Sequence, residues 1–141
     1  MRDREMRVAE ARLLSSMLVQ VAEQTKDNFG SIAESFGLPV HLARAIILLA
    51  DPMPMRDLAE QLVCDRSYIT SIADQLEERS LVERVPGADR RIKLLSLTAK
   101  GTQVREGFSQ ALAERDLVLS RLDDAQRKAL RPLLEALLTE S

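Results

Sequence analysis

The side chains with the most chemical potential in this 141-residue chain are cations and hydroxyls, not nucleophiles. The stretch PGADRRIKLLSLTAKG, residues 86–101, places Asp89, Arg90, Arg91 and Lys93 directly after a Pro-Gly turn signal. Between Arg84 and Lys100 lie five basic residues (Arg84, Arg90, Arg91, Lys93 and Lys100) against the single acid Asp89, in a chain whose net charge is −2. Local segregation of this kind is an electrostatic footprint for phosphate, which a low charge spread evenly is not. Paired arginines on a narrow tip also suit a minor groove, where a narrow groove concentrates negative potential. Asp89 reads either as an orienting partner for Arg91 or as an exposed contact of no consequence.

A second constellation, Arg66, Ser67, Tyr68, Thr70 and Ser71, lies at helical spacing upstream. Arginine pairs with guanine edges, and short hydroxyls contact bases or phosphates. On this helix alone a solvated polar face fits as well as a groove-facing one. Catalytic parts are scarce. With one histidine and one cysteine, most zinc and nucleophilic mechanisms lack their components, and no phosphate loop is present. The acid pairs Glu77-Glu78 and Asp123-Asp124 fall on solvent faces or helix starts. The expectation is a chain that is not an enzyme and needs no cofactor and no metal. Four aromatic residues, Phe29, Phe36, Phe108 and Tyr68, are too few for a base-stacking platform of the single-strand-binding kind.

The elements that position these residues follow from periodicity and caps. Met6, Leu13, Leu14, Met17, Leu18 and Val21 form an apolar stripe on a helix over residues 4–27. SIAE, residues 31–34, fits a capping box for a further short helix ended by Gly37. Pro39 opens the next helix, with Leu42, Ala45, Ile46 and Leu49 on one face, and DPMP breaks it. MRDLAEQLV is a short helix, Val63 and Cys64 make a tight turn, and Asp65 caps the helix that carries Ile69, Ile72, Ala73 and Leu76 inward. Leu81–Val85 and Arg91–Leu97 read as strands joined by PGAD. Thr98 caps a long helix through Val104, Phe108, Leu112, Val118 and Leu122. Asp123 and Gln126 start another, with Leu130, Leu133, Leu134, Leu137 and Leu138 on one face and Pro132 expected to kink or restart it.

Helix, helix, tight turn, helix, hairpin is the order of a winged helix-turn-helix. The predicted fold is mainly α with a small β wing: a dimerisation region over residues 1–37, a winged helix-turn-helix over 38–100 and C-terminal dimerisation helices over 101–141, within a single structural domain. The first helix, about 24 residues and roughly 36 Å long, exceeds what a small winged core covers. Its stripe and the leucine face of the last helix predict a partner. The longest apolar run, Ala45–Ala50, is too short to span a bilayer, and the N-terminal stretch lacks the apolar run of a signal peptide. The expected location is cytoplasmic, with no membrane contact, and the lone Cys64 excludes an internal disulfide.

The sequence resembles the MarR family of bacterial regulators. Asp89, Arg91, Leu97, Thr98 and Gly101 match its wing pattern D-x-R-x-x-x-x-x-L-T-x-x-G. DLAEQLVCDRSYITSIADQLEERSLVER, with Leu58-Ala59, Asp74, Leu76 and Arg84, resembles its paired helices. The resemblance covers most of the chain and implies a homodimeric transcription factor, acting as a repressor on a pseudo-palindromic double-stranded operator and released by a small aromatic or anionic effector. It implies dimer contacts through Leu13, Leu14, Met17, Leu18, Val21, Val118, Leu122, Leu130, Leu133, Leu134 and Leu137. It also implies DNA contacts through Arg66, Ser67, Tyr68, Thr70 and Ser71 on the helix and Asp89, Arg90, Arg91 and Lys93 on the wing. His41 and Arg44 are candidate effector contacts, or His41 is simply an exposed residue near a helix start. Arg115 is either an effector contact or an intersubunit ion-pair partner. Cys64 reads as a packed small hydrophobe or, as an alternative, a redox-sensing thiol. Three departures stand out: Ser80 where the family has glycine, Pro54 where it has a Ser/Thr cap, and Ser71 where a basic residue is frequent. A winged module that docks protein instead of DNA is the competing class.

Overall fold

The computed structural model describes residues 1–140. Seven helices and three strands follow one another as α1 (Arg2–Ser35), α2 (Val40–Leu48), β1 (Met53–Pro54), α3 (Met55–Leu62), α4 (Arg66–Glu78), β2 (Val82–Pro86), β3 (Lys93–Leu97), α5 (Ala99–Arg115), α6 (Leu117–Arg121) and α7 (Asp124–Leu138). They divide into two compact units, one of residues 1–31 and 114–141, the other of residues 32–113. Mainly helical architecture with a small antiparallel sheet is the predicted fold class.

In the central unit, sheet order is β1-β3-β2, antiparallel throughout. β2 and β3 pair from Val82 opposite Leu97 to Pro86 opposite Lys93. The hairpin strand therefore starts at Lys93, two residues later than the sequence suggests, and Arg91 belongs to the tip instead of the strand. β1 is a strand the sequence reading missed. DPMP does end α2, but Met53 and Pro54 then pair with Leu95 and Leu94. Proline is tolerated there because β1 is an edge strand. The core is built from Leu42, Ile46, Leu58, Ile69, Ile72, Leu76, Leu95 and Phe108, all essentially inaccessible. Truncating any one of the leucines to alanine costs about 2–5 kcal/mol.

Two tight junctions fix this unit. Gly37, at φ +67°, closes α1 through Gly37 N–H to Glu34 O (2.9 Å) and Leu38 N–H to Ala33 O (3.1 Å). At the start of α5, Thr98 Oγ1 donates to Ser80 O (2.6 Å) and accepts from Gly101 N–H (3.0 Å). A Cβ on Gly101 would sit 2.0 Å from Leu81 O, so only glycine admits this approach. The L-T-x-x-G spacing is thus the signature of a helix start pressed against the end of α4.

Ser80 keeps the left-handed turn in spite of lacking glycine. Its φ is +61°, and Ser80 N–H to Glu77 O (2.9 Å) and Leu81 N–H to Leu76 O (3.0 Å) close α4 as they would with glycine there. Val63, at φ +53°, does the same between α3 and α4. Both carry the cost of a Cβ in the left-handed region, only partly offset by the extra chain entropy a glycine would lose. Val63→Gly and Ser80→Gly are each expected to raise unfolding stability by about 0.5–1 kcal/mol, read by denaturant titration.

Three expectations for the helices are corrected. Ser31 does not cap a new helix: α1 runs unbroken to Ser35. The long helix after the wing does not reach Leu122. It stops at Arg115, and the Asp116 carboxylate accepts from Val118 and Leu119 N–H to start α6. Asn28 locks that break, donating from Nδ2 to Arg115 O (3.0 Å) and accepting Leu117 N–H on Oδ1 (3.0 Å). Of the two outcomes expected at Pro132, a kink or a restart, the restart does not occur: α7 is continuous from Asp124 to Leu138. The Asp123/Gln126 capping box is present, with Gln126 N–H at 2.8 Å from Asp123 Oδ1 and Asp123 N–H at 3.0 Å from Gln126 Oε1.

Every fully buried apolar side chain among the described residues lies between Ile32 and Phe108. Among its described residues, the unit of residues 1–31 and 114–140 buries none completely. Met6, Leu13, Leu14, Met17, Leu18 and Val21 on α1 and Leu133, Leu134, Leu137 and Leu138 on α7 are all exposed in the single chain. No single helix among the described residues is long and apolar enough to cross a membrane.

Candidate nucleic-acid interface

The candidate interface is assembled by α3, α4 and the β2–β3 hairpin. Asp65 starts α4: its Oδ1 accepts Tyr68 N–H at 2.8 Å and the Ser67 hydroxyl at 2.9 Å. These bonds, the Tyr68 amide first and the Ser67 hydroxyl next, hold the Asp65 carboxyl below its ordinary 3.8. Ile69, Ile72, Ala73 and Leu76 are buried, which leaves Arg66, Ser67, Tyr68, Thr70 and Ser71 on the exposed side. The hydroxyls of Ser67, Thr70 and Ser71 are engaged locally. Thr70 Oγ1 donates to Arg66 O (2.9 Å), and Ser71 Oγ accepts from Gln75 Nε2 (3.0 Å).

At the hairpin tip, Gly87 N–H bonds Ile92 O (2.9 Å) and Ile92 N–H bonds Asp89 O (2.9 Å). Asp89 Oδ1 accepts Arg91 N–H (3.1 Å) and Arg91 Nε (3.3 Å), while Oδ2 lies 3.3 Å from Nη2. The Arg91 side chain, first, and its amide, second, lower the Asp89 carboxyl below 3.8. Arg91 is 90% exposed in spite of this contact, so its outer edge stays available. Arg90 and Lys93 are exposed beside it.

A depressed carboxyl favours the fold wherever it is ionised. The contributions of Asp65 and Asp89 are therefore complete above about pH 3.8 and are lost as pH falls through their lower folded values. Acid unfolding of the Asp65→Asn, Asp89→Asn double variant is expected to be less steep below pH 3.8 than that of the parent, with the two indistinguishable in slope near neutrality. Asparagine keeps the cap and isolates the charge.

Arg84, counted with the cationic stretch on sequence grounds, is committed elsewhere. Its Nη2 reaches Asp74 Oδ1 at 2.8 Å and its Nε reaches Glu77 Oε1 at 2.6 Å. One guanidinium on β2 thus clamps two carboxylates a turn apart on α4. Lys100 likewise spends its ammonium on Arg79 O (3.0 Å), at the C-terminal end of α4. The cations of the stretch not tied to α4 are Arg90, Arg91 and Lys93, with Arg91 sharing Asp89. Asp74 and Glu77, three residues apart on one helix face, were the readable signal for this clamp.

The remaining candidates are placed as follows. His41 Nε2 lies 3.0 Å from Gln75 Oε1, and its ring centroid is 6.4 Å from that of Tyr68, so it packs against α4. Arg44 is exposed on α2, and Arg115 ends α5 in the other compact unit. Cys64, half-exposed in the α3–α4 turn, lines an open groove of about 930 Å³ with Met55, Arg56, Ala59, Ile69 and Thr70. No cluster of metal-ligating side chains occurs among the described residues.

Residues 45–93 match the model of the MarR family. The chain is 31% identical over 124 residues to the HTH-type transcriptional regulator FarR of Neisseria gonorrhoeae, covering 85% of each protein. It is 39% identical over 82 residues to a putative transcriptional regulatory protein for the hcr operon of Thauera aromatica, a match spanning 57% of this chain and about half (49%) of that protein. Among solved structures it is similar to the transcriptional repressor CouR bound to a 23-mer DNA duplex, at 25% identity and a TM-score of 0.76, over 92% of this chain and 94% of that one. CouR from Rhodococcus jostii RHA1 has also been solved with p-coumaroyl-CoA, and superposes on 88% of this chain and 90% of its own with a TM-score of 0.71 at 23% identity.

Proposed function

The chain belongs to the MarR family of transcriptional regulators, and from that membership we propose a homodimeric repressor that binds duplex DNA sequence-specifically and is released by a small anionic or aromatic effector. One observation carries the reading. The Arg84 clamp to Asp74 and Glu77 joins the polar face of α4 and the cationic hairpin into one body, so both elements can be presented to a duplex without separate ordering. In this arrangement α4 enters a major groove with Arg66, Ser67, Tyr68, Thr70 and Ser71, while Arg90, Arg91 and Lys93 engage phosphate or the adjacent minor groove.

The unburied apolar faces of α1 and α7 support pairing. Leu13, Leu14, Met17, Leu18 and Val21 on α1 and Leu133, Leu134 and Leu137 on α7 are exposed in one chain, and apolar helix faces left open in this way mark a partner. Val118, Leu122 and Leu130 are half-buried in one chain and are offered to the same pairing. A twofold pair addresses half-sites about 34–36 Å apart or a multiple of that spacing. The effector reading takes its support from CouR, whose structure holds an acyl-CoA ligand; Arg44, exposed on α2, is a cation offered to an anion, with His41 on the same helix. Such a regulator works in the cytoplasm.

The test joins light scattering with mobility-shift titration on genomic fragments. Two chains per molecule in solution and two per retained duplex are expected, with release of the duplex by an aromatic carboxylate or its CoA thioester. A monomer, or a dimer that retains no duplex, contradicts the reading.

A further inference from the structure

The hydroxyls on the exposed side of α4 are not interchangeable, because their own hydrogen bonds fix which way each can bond outward. A hydroxyl has one proton and two lone pairs. Ser67 spends its proton on Asp65 Oδ1 at 2.9 Å. That oxygen belongs to a carboxylate which only accepts, so the bond has a single polarity. Thr70 spends its proton on Arg66 O at 2.9 Å, again an acceptor only. Both side chains therefore face outward with lone pairs. Ser71 is the reverse. Its oxygen accepts from Gln75 Nε2 at 3.0 Å, while Gln75 Oε1 lies 3.0 Å from His41 Nε2. The Ser71 proton is left over.

Residues 67, 70 and 71 thus present acceptor, acceptor and donor on one exposed stripe. In a major groove the only donors are the exocyclic amino groups, N6 of adenine and N4 of cytosine. Phosphate oxygens, like N7 and the keto oxygens, accept only. A hydroxyl locked as an acceptor cannot serve phosphate without abandoning its carboxylate.

Building on the duplex-binding reading above, we propose that Ser67 is a specificity-determining residue that accepts from an exocyclic amino group of adenine or cytosine, with Thr70 reading in the same sense and Ser71 donating to a base acceptor or phosphate. Asp65 is then a positioning residue: besides capping α4 it sets the polarity of the Ser67 contact. Gln75 does the same for Ser71.

The experiment selects sequences from a randomised duplex pool with the parent protein and with Ser67→Ala. Ser67 is exposed, and its loss leaves the Asp65–Tyr68 cap in place. The parent is expected to enrich a half-site, and Ser67→Ala to lose preference at one position of it. At that position, the amino-bearing base is replaced by 2-aminopurine (for adenine) or 2-pyrimidinone (for cytosine), which removes the amino group from the major groove. Parent affinity is expected to fall about three- to tenfold, with Ser67→Ala unaffected by the same change. The proposal is overturned if Ser67→Ala alters no position, or if the parent is insensitive to the amino group and instead loses affinity when 7-deazapurine removes an acceptor there. Duplex binding without any sequence preference overturns it as well. Failure to bind any duplex is a different result, since it removes the DNA-binding reading itself.

Discussion

The double variant Leu133→Glu, Leu137→Glu is expected to be monomeric and to bind its operator at least a hundredfold more weakly than the parent. Both leucines lie on α7, 63% and 65% exposed in the single chain, within a unit that completely buries no side chain of its own. A dimer of ordinary size removes on the order of 1,200–2,000 Å² from water, and these leucines are the kind of side chain that fills the centre of such a contact. Two carboxylates placed there in each chain are either desolvated without partners or force the chains apart. Separation then removes the second half-site, which in the dimer binds at the high effective concentration set by the first. Sedimentation equilibrium reports the monomer, and anisotropy on a full operator reports the affinity. Circular dichroism should stay helical for the central unit, whose core of Leu42, Ile46, Ile72, Leu76 and Phe108 does not involve α7.

Arg90→Ala, Arg91→Ala is expected to weaken binding to every duplex about equally, on the order of a hundredfold at physiological salt. In a twofold complex the change deletes about four phosphate contacts. Each contributes about −0.9 to the slope of log K against log salt, so the slope should become shallower by about 3.6. Sequence preference should survive, because phosphate contacts position the protein and base edges specify the site. The Asp89 contact shapes the effect. It holds Arg91 in a limited set of rotamers at 3.3 Å without covering it, so removing Asp89 alone should cost far less than removing the arginine. Competition titrations with specific and random duplexes at several salt concentrations separate the two quantities.

The parts of this architecture that were legible in the sequence are those where a single residue type has one structural use. Asp65 and Asp123 start helices because a carboxylate there satisfies free amides, and Gly37 ends one because its φ is positive. The parts that were not legible involve competition between local and distant partners. SIAE has the pattern of a capping box, but the amides it would satisfy are already bonded within α1. Asp116 sits inside an apolar periodicity that continues across it, and its cap of α6 acts together with Asn28, nearly ninety positions away, which bonds both sides of the break. β1 is two residues long and ends in proline, so it exists only through its pairing with β3.

At the candidate interface, residue types and spacing located α4 and the hairpin, but not how each group is used. Arg84 was counted in the charge of the cationic stretch, and it is tied instead to two carboxylates of α4. His41 was open to an effector contact or to simple exposure near a helix start, and its bond to Gln75 was in neither reading. Hydroxyl polarity at Ser67, Thr70 and Ser71 is invisible to sequence because serine and threonine donate and accept equally well until neighbours decide.

The most direct test of the central claim, that α4 and the clamped hairpin together engage one duplex, is the salt dependence of wild-type binding to double-stranded DNA. With about six to eight phosphates contacted, log K should fall linearly with log salt at a slope of about −5 to −7. A slope near zero, or no duplex binding at low salt, would contradict the account.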